Sequence, residues 1–178
     1  MTSDLGLRDI AQTAAPSLRH GFRFEVLDPS FTDVQGLVEL ARCAHEESRF
    51  SYIPFAPQKV EAIIRRSMED TKRHGVLLCR DATQFVGMVY CSIGEYHIGA
   101  DTLLTTIHNM NVRPDVRHKL RGGYAALGLL RGVESWSQAR NASEILFHVT
   151  SDVELQRTHS FIKKRGYRFI GGSYAKSI

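Results

Sequence analysis

The sequence predicts an α/β protein in which one mixed sheet carries helices on both faces. Three observations predict it. Extended and helical patterns come in the order β-α-α-β-β-β-α-β-α-β, so the first half supplies a meander and strict alternation begins only in the second. Hydrophobic residues make up 43% of the chain and charged residues 24%, which excludes a mainly disordered or fibrous protein. A length of 178 residues suits one substantial core, so residues 21–178 are expected to form a single domain behind a flexible, polar leader over residues 1–20.

Phe22 to Leu27 alternates as a short strand, FRFEVL. Asp28-Pro29-Ser30 breaks it, and Ser30 or Thr32 can cap the next segment. From Asp33, Val34, Leu37, Val38, Leu40 and Ala41 recur at helical spacing, and the pattern ends around His45 to Ser48. A loop rich in aromatics and prolines, RFSYIPFAP, follows. Pro57 suits the first turn of a second helix, whose apolar face holds Val60, Ile63, Ile64 and Ser67 or Met68 until His74-Gly75 stops it. Val76 to Cys79 and Gln84 to Ser92 are apolar runs joined by Arg80-Asp81-Ala82-Thr83, the pattern of an antiparallel hairpin. Residues 95–101 read as a loop. Leu103 to Val112 is a third extended run, ended by Pro114, and a basic loop leads to Gly122-Gly123. Tyr124 to Arg140 is helical, with Leu127, Leu130 and Trp136 along one face. Ile145 to Val149 is a compact strand, Asp152 to Arg165 a helix stopped by Gly166, and Tyr167 to Tyr174 a last strand.

Charge bounds the partners. The formal charge of +4 and a pI near 9.1 suit a phosphorylated ligand without demanding DNA, and the basic residues cluster at Arg113 to Arg121 and Lys163 to Arg168. Cys43, Cys79 and Cys91 form no CxxC pair and read as reduced thiols. No window is long and apolar enough for a membrane span, so a cytoplasmic protein without a membrane partner is expected. His45, Glu46 and Glu47 are adjacent on a helix and do not share a face, so no metal is expected there.

The chemistry-bearing stretch runs from Asn111 to Leu130, NVRPDVRHKLRGGYAALGLL. A strand enters a glycine-containing turn and opens a helix, whose first-turn N–H groups lack intrahelical partners and attract an anion. Arg113, Arg117, Lys119 and Arg121 favour a multiply phosphorylated ligand. There is no GxGxxG and no GK[ST], which disfavours dinucleotide and P-loop sites.

These residues resemble the core signature of the GNAT superfamily of N-acetyltransferases, a strand ending V-x-P followed by [RQ]-x-x-G-x-[GA] at a helix start. Val112-Arg113-Pro114 is similar to the first part and Arg121-Gly122-Gly123-Tyr124-Ala125-Ala126 to the second. The late Phe161-Ile162-Lys163-Lys164-Arg165-Gly166-Tyr167 resembles the family's helix ending in a Gly-aromatic pair. Arg117 competes with Arg121 for the signature arginine; Arg121 is preferred because its register places Ala126 and Leu129-Leu130 correctly. Tyr124 stands at the first signature glycine, Leu155 at a common asparagine position, and Ile162 where many members carry a tyrosine acid, for which Tyr124, Thr158 and His159 are possible substitutes.

The resemblance implies a mixed, mostly antiparallel sheet and acetyl transfer from acetyl-CoA, or another acyl-CoA, to a small or peptide amine by direct attack. It implies a cofactor site at Met110, Asn111, Val112, Arg117, Lys119, Arg121, Gly122, Gly123, Tyr124, Ala125, Ala126, Thr158 and Phe161. An oxyanion-binding N–H is implied around Asn111 to Val112. His108, on the same strand, is the candidate base, because an imidazole of pKa about 6.5 suits proton abstraction at neutral pH. Glu47, Phe50 and Tyr52 fall in the segment that shapes the acceptor pocket in this family, and homodimers are common in it. The competing readings are an acyl-CoA-binding module without turnover and a transferase acting on charged tRNA.

Overall fold

The computed structural model describes residues 21–176, and the expected leader over residues 1–20 lies outside the described residues. In chain order the elements are β1 (Arg23–Val26), α1 (Val34–Glu46), α2 (Pro57–Glu69), β2 (His74–Arg80), β3 (Phe85–Glu95), β4 (Leu103–Val112), α3 (Pro114–Arg117), α4 (Leu120–Gln138), β5 (Glu144–Phe147) and α5 (Leu155–Lys164). The sheet order is β1-β2-β3-β4-β5, antiparallel throughout except for the parallel β4–β5 pair.

Alternation along β2 and β3 decides which layer covers which face. Val76 and Leu78 join Met88 of β3 against Leu37 and Leu40 of α1 and Ile64 of α2. Leu77 and Cys79 join Val89 and Cys91 on the opposite face, against Leu129, Leu130, Val133 and Trp136 of α4. Each such side chain contributes about 1.5–3 kcal/mol on full burial, so a strand apolar on both faces fixes both layers at once. Burial pushes the Cys79 and Cys91 thiols up to about 12, which keeps both protonated.

The structure corrects several boundaries. Asp33, not Ser30 or Thr32, caps α1, its Oδ1 accepting from the Gly36 N–H at 3.1 Å; Ser30 is turned back onto Asp28. The second helix ends at Glu69, where Asp70 folds a turn onto Arg73, and His74-Gly75 open β2 instead of stopping the helix. The basic loop after Pro114 is replaced by α3 and by a start of α4 at Leu120, ahead of Tyr124; Pro114 stands in the first turn of α3, where its fixed φ fits a helix. The last strand expected over Tyr167 to Tyr174 does not form. Phe169, Ile170 and Tyr174 are exposed, so this segment buries no face, and Gly171-Gly172 has no side chains to pack. Gly166 does end α5, at φ +89°.

Two features of β4 position the site. Tyr90 of β3 pairs with Asn109 and Cys91 with Ile107, so His108 is the extra residue of a bulge. On its other side, β4 pairs with β5 only from Leu104↔Glu144 to Ile107↔Phe147, leaving residues 108–112 without a strand neighbour there. Among the described residues no helix is long and apolar enough to cross a membrane.

Candidate active site

The gap between the diverging ends of β4 and β5 opens into a cleft of about 490 Å³. Its walls come from β4, the start of α4, the segment from β5 into α5, and the helices α1 and α2. The backbone of β4 supplies donors. Arg113 N–H bonds Val86 of β3, and the Asn111 carbonyl also faces β3, where a Cβ on Gly87 would come within 2.6 Å of it. Alternation therefore turns the Met110 and Val112 amides toward the gap. These two amides flank Asn111.

His108 projects from the bulge into this cleft. Its Nε2 lies 2.7 Å from Ser92 Oγ, and its ring stacks on Tyr90 with centroids 5.0 Å apart. Tyr90 Oη in turn meets His74 Nδ1 at 3.2 Å. Desolvation under this stack, reinforced by His148 and His74, holds the His108 pKa below the ordinary histidine value. The imidazole is neutral at physiological pH, the form that accepts a proton.

The junction of α3 and α4 forms the other end. Lys119 stands at the cap of α4 without a side-chain cap bond; the Gly122 N–H bonds the Lys119 carbonyl at 3.0 Å, and the remaining first-turn N–H groups have no partner within the helix. Gly122 is buried here. A Cβ would lie 2.5 Å from both Arg117 Cα and the Val116 carbonyl oxygen. Gly123 differs, since a Cβ there would meet nothing within 4 Å, and this glycine faces the open cleft. The chain approaches itself closely at one glycine and leaves space beside the next, room in which a helix N-terminus can meet an anion.

Arg117 lines the cleft but is already engaged. Its Nη1 and Nη2 donate to both oxygens of Glu47 at 2.7 and 2.6 Å, Nη1 reaches the Val112 carbonyl at 3.2 Å, and Nε is 3.8 Å from Glu154. The Glu47 hydrogen bonds raise its pKa further above an already high value. Arg157 bonds the Arg117 carbonyl at 3.0 Å and Glu154 at 3.2 Å, which ties α5 to the same junction.

The other expected residues divide. Met110, Asn111, Val112, Gly122, Gly123, Ala126, Thr158, Phe161 and Phe50 line the cleft with His108 and Arg117. Lys119, Arg121, Tyr124, Ala125, Glu47 and Tyr52 do not. Arg121 packs over the Phe22 ring at 4.7 Å, with Asp81 3.9 Å away, so the structure brings Arg117 and not Arg121 to the cleft. Ala125 is fully buried on the core side of α4, Tyr124 packs against that same core, Tyr52 is 78% exposed, and Glu47 is turned to Arg117. No local pattern marks Ser92 and Tyr90, because the β3–β4 register that sets them beside His108 depends on the bulge. Arg157 and Glu154 were likewise illegible. Of the possible late-helix acids, Thr158 lines the cleft, whereas His159 packs edge-on against Phe169.

No protein-family model matches the chain, and no curated protein matches it either. Solved structures do. The chain is similar to an aminoglycoside acetyltransferase from an uncultured soil metagenomic sample, with a TM-score of 0.64 at 14% identity over 88% of this chain and 98% of that one. It is similar to ribosomal-protein-alanine N-acetyltransferase from Brucella melitensis, with a TM-score of 0.63 at 13% identity over 88% and 99% of the two chains. It is also similar to the aminoglycoside N-acetyltransferase AAC(6')-Iy in complex with CoA, with a TM-score of 0.63 at 13% identity over 88% and 94%. With β4 and β5 diverging from a bulged β4, this chain has the GNAT fold that these acetyltransferases share.

Proposed function

We propose that the protein is an N-acyltransferase that moves an acetyl group from acetyl-CoA to an amine. The observation that carries this reading is the gap between β4 and β5, where strand pairing stops at Ile107↔Phe147 beside the bulge that holds His108. The extended pantetheine arm is an amide-bearing chain, and the unpaired Met110 and Val112 amides suit it and the thioester carbonyl. The first turn of α4, with Gly122 and Gly123, suits the pyrophosphate, and Lys119 flanks it. Arg117 takes the signature arginine's role in place of Arg121, by holding the α3–α4 turn and the end of α1 together.

Acetyl-CoA supplies the activated acyl group. When His108 Nε2–H donates to Ser92 Oγ, the Nδ1 lone pair is free to take the proton from the amine. A C–N bond forms, the C–S bond breaks, and the thiolate leaves; with a thiol pKa of about 8.5 it needs no dedicated acid. That chemistry agrees with Ile162, an apolar residue, lining the cleft where a tyrosine acid is common. A thiol-release assay with acetyl-CoA and a panel of amines tests this. Release that depends on the amine is the expected result. Binding of acetyl-CoA with no release for any amine would instead favour a binding module, the reading to which the missing acid points.

A further inference from the structure

On its α1 and α2 side the cleft forms a chamber whose lining residues are not among those assigned above to acyl-CoA. Ala44 of α1, Ile63 of α2, Met88 of β3 and the rings of Phe50 and Phe55 line it, with Tyr90 alongside His108. His45 keeps its wall in place: Nε2 meets the Ile53 carbonyl at 2.7 Å and its ring packs on Phe55 at 5.6 Å, which fixes the loop between α1 and α2. The charge along this cleft is one-sided. Among the described residues Glu154 is the single carboxylate lining it, and Glu154 is taken by His118 at 3.0 Å, Arg157 at 3.2 Å and Arg117 at 3.8 Å. Glu47, the nearest alternative, is held by Arg117.

A polycation entering this space would shed water from several ammonium groups and meet no free carboxylate. An amine with one nitrogen loses far less. Its apolar body gains the chamber walls, and the aromatic faces favour its cationic form until His108 removes a proton. Resting on the transferase reading above, we infer that the acceptor is a primary amine on a single apolar, aromatic body, seated between α1, α2 and Tyr90, and not a polycation.

The test uses the full chain with acetyl-CoA, and 2-phenylethylamine and spermine as the competing acceptors. Thiol release gives turnover, and calorimetry on the CoA-loaded protein gives amine binding apart from turnover. Phenylethylamine is expected to exceed spermine in kcat/KM by about tenfold or more. Phe50→Ala is expected to raise its KM with acetyl-CoA affinity unchanged, and Ala44→Glu, which adds a carboxylate to the wall, to narrow the gap between the two amines. Spermine preferred in both assays, or neither amine bound, would overturn the inference. Phenylethylamine bound selectively without turnover would uphold the chamber's preference and defeat the transferase reading alone.

Discussion

His108 and Arg117 both line the cleft, yet one is left chemically available and the other is consumed by structure. The bulge turns His108 out of the β3–β4 ladder, and Ser92 and Tyr90 hold its ring. His108→Ala is expected to lower kcat about 10²-fold or more while acetyl-CoA affinity is kept, as read by steady-state kinetics beside calorimetry; unchanged kcat would remove it as the base. Its depressed pKa sets the sign of the pH profile. Activity should hold above the ordinary histidine value and be lost only as pH falls through a lower pKa. The unfolded chain takes up that proton first, so this residue also costs stability as pH drops below about 6.5. Arg117→Ala leaves the Glu47 carboxylate without its partner, and chemical denaturation should show a loss of about 1–3 kcal/mol. That His108 would lie at the cleft was legible, because it is the one imidazole on the strand that carries the signature. Arg117 against Arg121 was not, since only the start of α4 at Leu120 sends one side chain to the cleft and the other to Asp81 and Phe22.

At the scale of elements, the α3–α4 junction separates two adjacent glycines by role. Gly122→Ala drives a Cβ into the Arg117 and Val116 backbone, which no rotamer change relieves, and should lower Tm by several degrees. Gly123→Ala meets empty space in the protein and gains helix propensity, so folding stability should rise by about 0.5–1 kcal/mol. Affinity for acetyl-CoA should fall, because the methyl group occupies the mouth of the cleft; equal affinity in the two proteins would place the ligand elsewhere. The central elements were legible for a simple reason: β2 and β3 hold apolar runs and β4 a β-branched, extended one, each with firm punctuation, and the third run was bounded at Leu103 and Val112 as observed. The tail from Tyr167 onward carries the same residue types, but strand formation needs a neighbour to pair with and a face to bury, neither of which a local pattern reveals.

For the whole molecule, one sheet carries α1 and α2 on one face and α4 on the other, and β4 and β5 part at one end, where their parallel pairing stops at Phe147. The order and apolar faces of the elements made that architecture readable. Residue identity contributes little, as the acetyltransferases of the same fold share only 13–14% of positions. Of the chamber beside His108 only Phe50 was legible, since the rest is assembled from α1, α2 and β3, segments that meet only after folding. The central claim, an acyl-CoA site in the gap between β4 and β5, is tested most directly by thermal unfolding of the full chain with and without acetyl-CoA. At a hundredfold excess over Kd the ligand should add about 2.7 kcal/mol and raise Tm by about 5–10 °C, and Gly123→Ala should blunt that rise. No shift with acetyl-CoA or free CoA at millimolar concentration would contradict it.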